Sequence, residues 1–167
     1  YITEKDARFV YNTIKSGWVS SSGKNLKKFE VSLAKIVSRK YACAVSSGTA
    51  ALEIAVKSLE LKKNDEVIIP TFTIISTANS IIKNFAKPVL IDSDINTWNI
   101  NIQNIEKKIN TKTRAIMVPH IYGFPCEIDK IQRICKKNKL YLIEDAAEMI
   151  GQTYKGKPCG SFGDISI

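Results

Sequence analysis

The sequence predicts an α/β fold, a three-layer sandwich around a mostly parallel sheet. Short apolar runs of strand length alternate with segments of helical spacing from residue 66 onward, the pattern of βαβ units. The runs at 66–70 and 140–145 are bounded by charge or Pro, as strands buried on both faces are. Right-handed crossovers between such strands place helices on both sides of the sheet.

The elements follow in order. Ala7, Val10, Tyr11 and Ile14 give helical spacing over 4–15, and Gly17 closes it. Residues 18–25 form a polar Gly/Ser loop. Phe29, Leu33, Ile36 and Val37 predict a helix over 26–38, and a short strand is expected at 41–45. After a Ser-Ser-Gly-Thr break, an Ala/Leu/Val helix runs over 49–61. Strands at 66–70, 88–92, 114–119 and 140–145 alternate with helices at 73–84, 104–109 and 128–138. Residues 154–157 read as a turn, and 164–167 starts another strand.

Of the 167 residues, 44% are hydrophobic and 25% charged, an ordinary globular balance. No apolar stretch reaches the roughly 18 residues of a membrane span, and no signal peptide is apparent. The chain starts at Tyr1 and ends at Ile167 inside an apparent strand, so a piece of a longer protein is expected. The net charge of +9 comes from dispersed lysines, with no Arg cluster or aromatic-interleaved patch, which argues against nucleic acid as a partner. The four cysteines form no C-x-x-C pair and there is one histidine, so neither a structural zinc nor a disulfide framework is expected. Reduced, mostly buried thiols in a cytoplasmic protein are the expectation.

Asp145 ends the apolar run 140–145. Open α/β sheets bind ligands at the carboxyl ends of their strands, so this carboxylate faces a ligand crevice. Its partner is a cationic ligand atom, a metal or a hydroxyl; a helix cap or loop salt bridge is the structural alternative. In Ser46-Ser-Gly-Thr-Ala-Ala-Leu52 a break leads straight into a helix, whose free N-terminal amides and small residues offer close approach to an anion. A plain N-cap explains the same residues. No Walker loop or G-x-G-x-x-G fingerprint exists. Pyridoxal phosphate needs both a phosphate cradle and a carboxylate against its ring nitrogen. Ala147 is small enough to lie on a ring face. Phe72 or Ile74, opening the next helix, would cover the other face or serve as core. His120, the single histidine, would bond a cofactor or substrate oxygen or be a satisfied structural residue.

Several segments, taken in order, resemble the DegT-type nucleotide-sugar aminotransferases, fold-type I pyridoxal phosphate enzymes. They are Ser16-Gly-Trp-Val-Ser-Ser-Ser-Gly23, Ser47-Gly-Thr-Ala-Ala-Leu52, Asp65-Glu-Val-Ile-Ile-Pro-Thr-Phe-Thr73, Thr77-Ala-Asn79, His120-Ile-Tyr-Gly123, Ile143-Glu-Asp-Ala-Ala-Glu148 and Gly160-Ser-Phe-Gly-Asp164. The loop after Gly17 and Asp94-x-x-Thr-Trp-Asn-Ile100 look most like the branch that moves an amino group from glutamate to C4 of a GDP-linked 4-keto-6-deoxy sugar.

The resemblance implies that residues 1–167 are the N-terminal segment and most of the cofactor-binding large domain. It implies that the amides of Gly48, Thr49 and Ala50 hold the cofactor phosphate, that Asp145 pairs with the pyridine nitrogen, and that Ala147 packs on the ring. Glu148 would lie near the ring hydroxyl, where many relatives carry Gln or His. Ile74 stands where an aromatic usually stacks. Trp18 would lie near the nucleotide-sugar and His120 at the site wall. The Schiff-base lysine is expected after Ile167; Lys155 and Lys157 match a hairpin turn instead. A homodimer with a shared active site is implied. A same-fold sugar dehydratase with His in place of the lysine, and a non-catalytic ligand-binding relative, are the alternatives.

Overall fold

The computed structural model describes residues 1–167. They form two units, Tyr1–Ala44 and Val45–Ile167. No helix is long and apolar enough to cross a membrane.

The first unit is a pair of helices. Helix α1 (Glu4–Lys15) starts at a capping box, in which Thr3 Oγ1 accepts from the Asp6 amide and Asp6 Oδ2 accepts from the Thr3 amide at 2.8 Å. Helix α2 (Lys24–Ile36) is tied to α1 by Asn25 Nδ2 donating to Thr13 Oγ1 at 2.9 Å. The strand expected at 41–45 does not form. A strand needs a neighbour for its backbone groups, and here the Ala44 amide donates instead to the Glu30 carboxylate at 2.9 Å.

The second unit carries the sheet. Helix α3 (Gly48–Lys57) leads into β1 (Glu66–Pro70), followed by α4 (Ile75–Lys83) and β2 (Lys87–Ile91). A 3₁₀ turn at Ile102–Asn104 runs into α5 (Ile105–Lys108) and then β3 (Thr113–Pro119). Another 3₁₀ turn, Ile121–Gly123, precedes α6 (Ile128–Asn138) and β4 (Tyr141–Asp145). A hairpin of β5 (Thr153–Tyr154) and β6 (Lys157–Pro158) comes before β7 (Ile165–Ser166). The expected elements of this unit are all present, with boundaries moved by a few residues.

The strand order is β2-β1-β3-β4-β7, and every pairing is parallel. From β1 the chain goes first to one side, to β2, and then crosses back to the other, to β3. Such a reversal opens a crevice at the strands' carboxyl ends.

Two cores sandwich the sheet. Ile68, Ile116, Val118 and Leu142 pack with Ile128, Ile131 and Cys135 of α6. Val67, Ile69, Ala115, Met117 and Ile143 pack with Leu52, Ala55 and Val56 of α3 and Ile81 of α4. Successive strand residues point to opposite faces. The alternation along β4 therefore puts Glu144 on the α6 face, with Leu142, and Asp145 on the α3/α4 face, with Ile143.

Candidate active site

Three loops at the carboxyl ends of β1, β3 and β4 enclose a cavity of about 330 Å³, in the size range of small-molecule sites. Phe72, Thr73 and Ile74 follow β1. Pro119, at the end of β3, leads into His120, Ile121 and Tyr122. Asp145 ends β4, and Ala147 and Glu148 follow it. The cavity thus lies beside the β1/β3 reversal. It gathers Ile74, His120, Asp145, Ala147 and Glu148 from the residues singled out in the sequence.

Asp145 is only 8% exposed. Its side chain accepts one hydrogen bond, from the Ala147 amide to Oδ1 at 3.3 Å. Burial raises its pKa above the ordinary carboxylate value; the Ala147 amide pulls the other way, and the Glu148 charge adds to the rise. A carboxylate so poorly compensated, at the edge of a cavity, is matched to a cationic ligand atom.

The turn into α3 is exposed at Ser47, Gly48 and Thr49. Ser47 Oγ caps the helix by accepting from the Ala50 amide at 3.2 Å. Of the three amides expected to hold a phosphate, that of Ala50 is therefore spent, whereas those of Gly48 and Thr49 point out of the helix start. A Cβ on Gly48 would meet nothing within 4 Å, so the turn is open on that side. The Thr49 and Ser76 hydroxyls share a hydrogen bond of 3.0 Å, which brings the start of α3 to the start of α4, just after Ile74. The turn at Gly48 and Thr49 and the acid at Asp145 thus lie in one unit, with Asp145 and Ile74 lining the cavity and Gly48 and Thr49 outside its lining, and this donor set fits a phosphate-bearing cofactor with a basic ring nitrogen.

His120 lines the cavity, yet its ring is fully buried and both nitrogens are engaged. The Cys126 amide donates to Nδ1 at 3.1 Å, which requires that nitrogen to be an acceptor. The ring proton then sits on Nε2 and is donated to Glu144 Oε1 at 3.1 Å. The contact is a neutral imidazole on a carboxylate rather than an ion pair. Bonding a ligand through this ring would break one of the two contacts.

Ile74 is 59% exposed and Ala147 and Glu148 are also open to the cavity. Trp18 belongs to the first unit, in the loop between α1 and α2, and is exposed.

Two features escaped the sequence reading. Phe72 meets Trp98 edge-on at 5.0 Å and Tyr122 at 6.1 Å, and both partners have left-handed backbones, φ 61° and 51°. Glu144 is wholly buried and holds the loop at 160–163. Its only sequence signal is an acid inside the apolar run, directly before Asp145.

Fold and site together define an open parallel α/β domain with a ligand crevice at its strand ends. The chain belongs to the DegT/DnrJ/EryC1/StrS aminotransferase family, whose model matches residues 1–167. It is 44% identical over 165 residues to GDP-perosamine synthase from Escherichia coli O157:H7, covering 99% of this chain and 45% of that protein. An aminotransferase from Psychrobacter cryohalolentis superposes with TM-score 0.95 at 36% identity, over 99% of this chain and 42% of the other. A putative sugar aminotransferase from Streptococcus pneumoniae, solved in a PLP form, superposes with TM-score 0.94 at 29% identity, over 99% and 46%. The chain thus spans under half the length of the relatives it matches.

Proposed function

We propose that the whole protein transfers an amino group from glutamate to C4 of a nucleotide-linked 4-keto-6-deoxy sugar, with pyridoxal phosphate as cofactor, for surface polysaccharide synthesis. Asp145 carries this reading, because a buried carboxylate with a single backbone donor needs a cation to offset its burial. The similarity to GDP-perosamine synthase favours a GDP-linked substrate.

When bound, the cofactor supplies an electron sink for the transfer. Asp145 keeps the ring nitrogen protonated, since an opposite charge favours the charged form. The amides of Gly48 and Thr49, with the α3 dipole behind them, hold the phosphate. Ala147 packs on one ring face, and Ile74 covers the other by dispersion. Glu148 serves the ring hydroxyl and the reacting centre. Trp18 and its serine-rich loop take the nucleotide-sugar. The lysine that tethers the cofactor belongs beyond Ile167, and a second copy completes the pocket in a homodimer in the cytoplasm.

The test uses the full-length protein. Added pyridoxal phosphate should give an absorbance band that borohydride fixes, and glutamate nitrogen should appear on one of the GDP-, UDP- or dTDP-linked keto sugars. Absence of the band, or loss of water from the sugar without gain of nitrogen, would overturn the proposal.

A further inference from the structure

Glu144 accepts far more hydrogen bonds than a strand residue needs. Its Oε1 takes the Nε2–H of His120 at 3.1 Å and the Gly160 amide at 2.7 Å. Its Oε2 takes the amides of Phe162 at 2.8 Å and Gly163 at 2.9 Å, with the Ser166 hydroxyl at 3.3 Å. A carboxylate offers about four lone-pair sites, so these donors saturate it. Gly163 must come in this close: a Cβ there would lie 2.5 Å from the Ile165 carbonyl and 2.9 Å from that of Leu142.

The same strand end is fixed along the backbone. The Ile167 amide donates to the Glu144 carbonyl at 3.0 Å, the Ala146 amide to the Ile167 carbonyl at 2.8 Å, and the His120 amide to the Asp145 carbonyl at 3.1 Å. The Asp145 side chain, with its one bond of 3.3 Å, does little to orient itself. Its direction is inherited from a backbone that the neighbouring side chain pins on the opposite face.

We propose that Glu144 and His120 form a positioning pair that aims Asp145 at the cofactor's ring nitrogen: Glu144 locks β4 to the 160–163 loop on the α6 face, and His120, at the cavity wall, holds Glu144. The inference rests on the pyridinium role of Asp145 proposed above. It assigns no contact with cofactor or substrate to either member of the pair.

The experiment compares affinities in cofactor-free, full-length enzyme. Dissociation constants are measured for pyridoxal phosphate and for its analogue with carbon in place of the ring nitrogen. The parent should prefer the natural cofactor, and Asp145→Asn should abolish that preference. Glu144→Gln should reduce it by at least about fivefold. His120→Asn, which keeps an acceptor for Cys126 but cannot reach Glu144, should reduce it likewise. His120→Gln, whose amide nitrogen still reaches Glu144, should retain it. A loop lock with no aiming role would weaken both ligands equally and leave the ratio at the parent value. That result for Glu144→Gln and His120→Asn, with the preference lost in Asp145→Asn, overturns the positioning pair alone. A preference that survives Asp145→Asn overturns the pyridinium role and the pair with it. Where Glu144→Gln yields no folded protein, the two His120 variants decide.

Discussion

On the α6 face, the end of β4 is saturated with hydrogen bonds; one residue on, on the face toward the cavity, it is nearly bare. Glu144 is fully buried and met by three loop amides, a hydroxyl and an imidazole. Asp145 is almost as buried and has one backbone donor. Burial pushes both pKa values up, but for Glu144 the bonds from His120, Gly160, Gly163 and Phe162 outweigh it and the net shift is downward. For Asp145 burial wins and the net shift is upward. Strand alternation permits this division, since adjacent residues serve opposite faces. One carboxylate stabilises the chain, and its neighbour is left with a need that a ligand can meet.

The strongest way to break this comparison is Glu144→Gln. The amide keeps one acceptor oxygen and turns an NH₂ toward donors. If it faces His120 and Gly160, the imidazole can accept only by moving its proton to Nδ1, which then confronts the Cys126 amide. At least one buried donor is stranded either way, and unfolding of the full-length protein in urea should show a loss of about 3 kcal/mol or more. A loss under about 1 kcal/mol would mean that the saturated face contributes little. The parent should also lose this stabilisation in acid. A carboxyl held below its unfolded pKa contributes fully above that value and ceases to contribute as pH falls through the folded one.

Asp145→Asn probes the bare side. Asparagine can still accept from the Ala147 amide but cannot carry the charge that the ring nitrogen needs. Turnover of the full-length enzyme should fall by about a hundredfold, the scale of losing one preorganised electrostatic partner. The unfolding midpoint should not fall with it. A turnover near that of the parent would leave Asp145 without its proposed role.

Gly163→Ala sharpens the comparison from the loop. The added Cβ meets backbone oxygens of Ile165 and Leu142 and, at 3.0 Å, the Cβ of Glu144. Backbone cannot swing aside as a side-chain tip can, so the variant should lose about 2 kcal/mol in urea unfolding. An undiminished midpoint would show that the loop relaxes without disturbing Glu144.

The bare side was legible in the sequence and the saturated side was not. Asp145 ends an apolar run, and strand ends face ligand crevices, so its location followed from local pattern. Glu144 reads as part of the same charged punctuation. Its partners lie 24 residues before it and 16 to 22 after it, and meet only once β7 pairs with β4. The strands β1, β3 and β4 were legible because each is a short run buried on both faces. Residues 41–45 have a similar composition but find no strand to pair with, which only the fold can reveal. The open turn into α3 was legible through its small residues. That Ser47 takes the Ala50 amide depends on a rotamer, which the sequence does not determine.

The smallest effect isolates the unmet need itself. In the folded, cofactor-free protein Asp145 binds its proton more tightly than in the unfolded chain. Stability therefore falls as pH rises from the unfolded pKa, about 3.9, through the raised folded value, because the native state must give up a proton that it holds better. Asparagine has no proton to lose. Near pH 3 the Asp145→Asn variant and the parent should unfold at similar urea concentrations. As pH rises, the variant should become the more stable of the two. Saturating pyridoxal phosphate should reverse the order, since a ligand that pairs with the ionised carboxylate stabilises only the parent through that contact. A stability difference that does not change with pH would mean that the Asp145 carboxylate is already compensated within the chain, and the contrast with Glu144 would disappear.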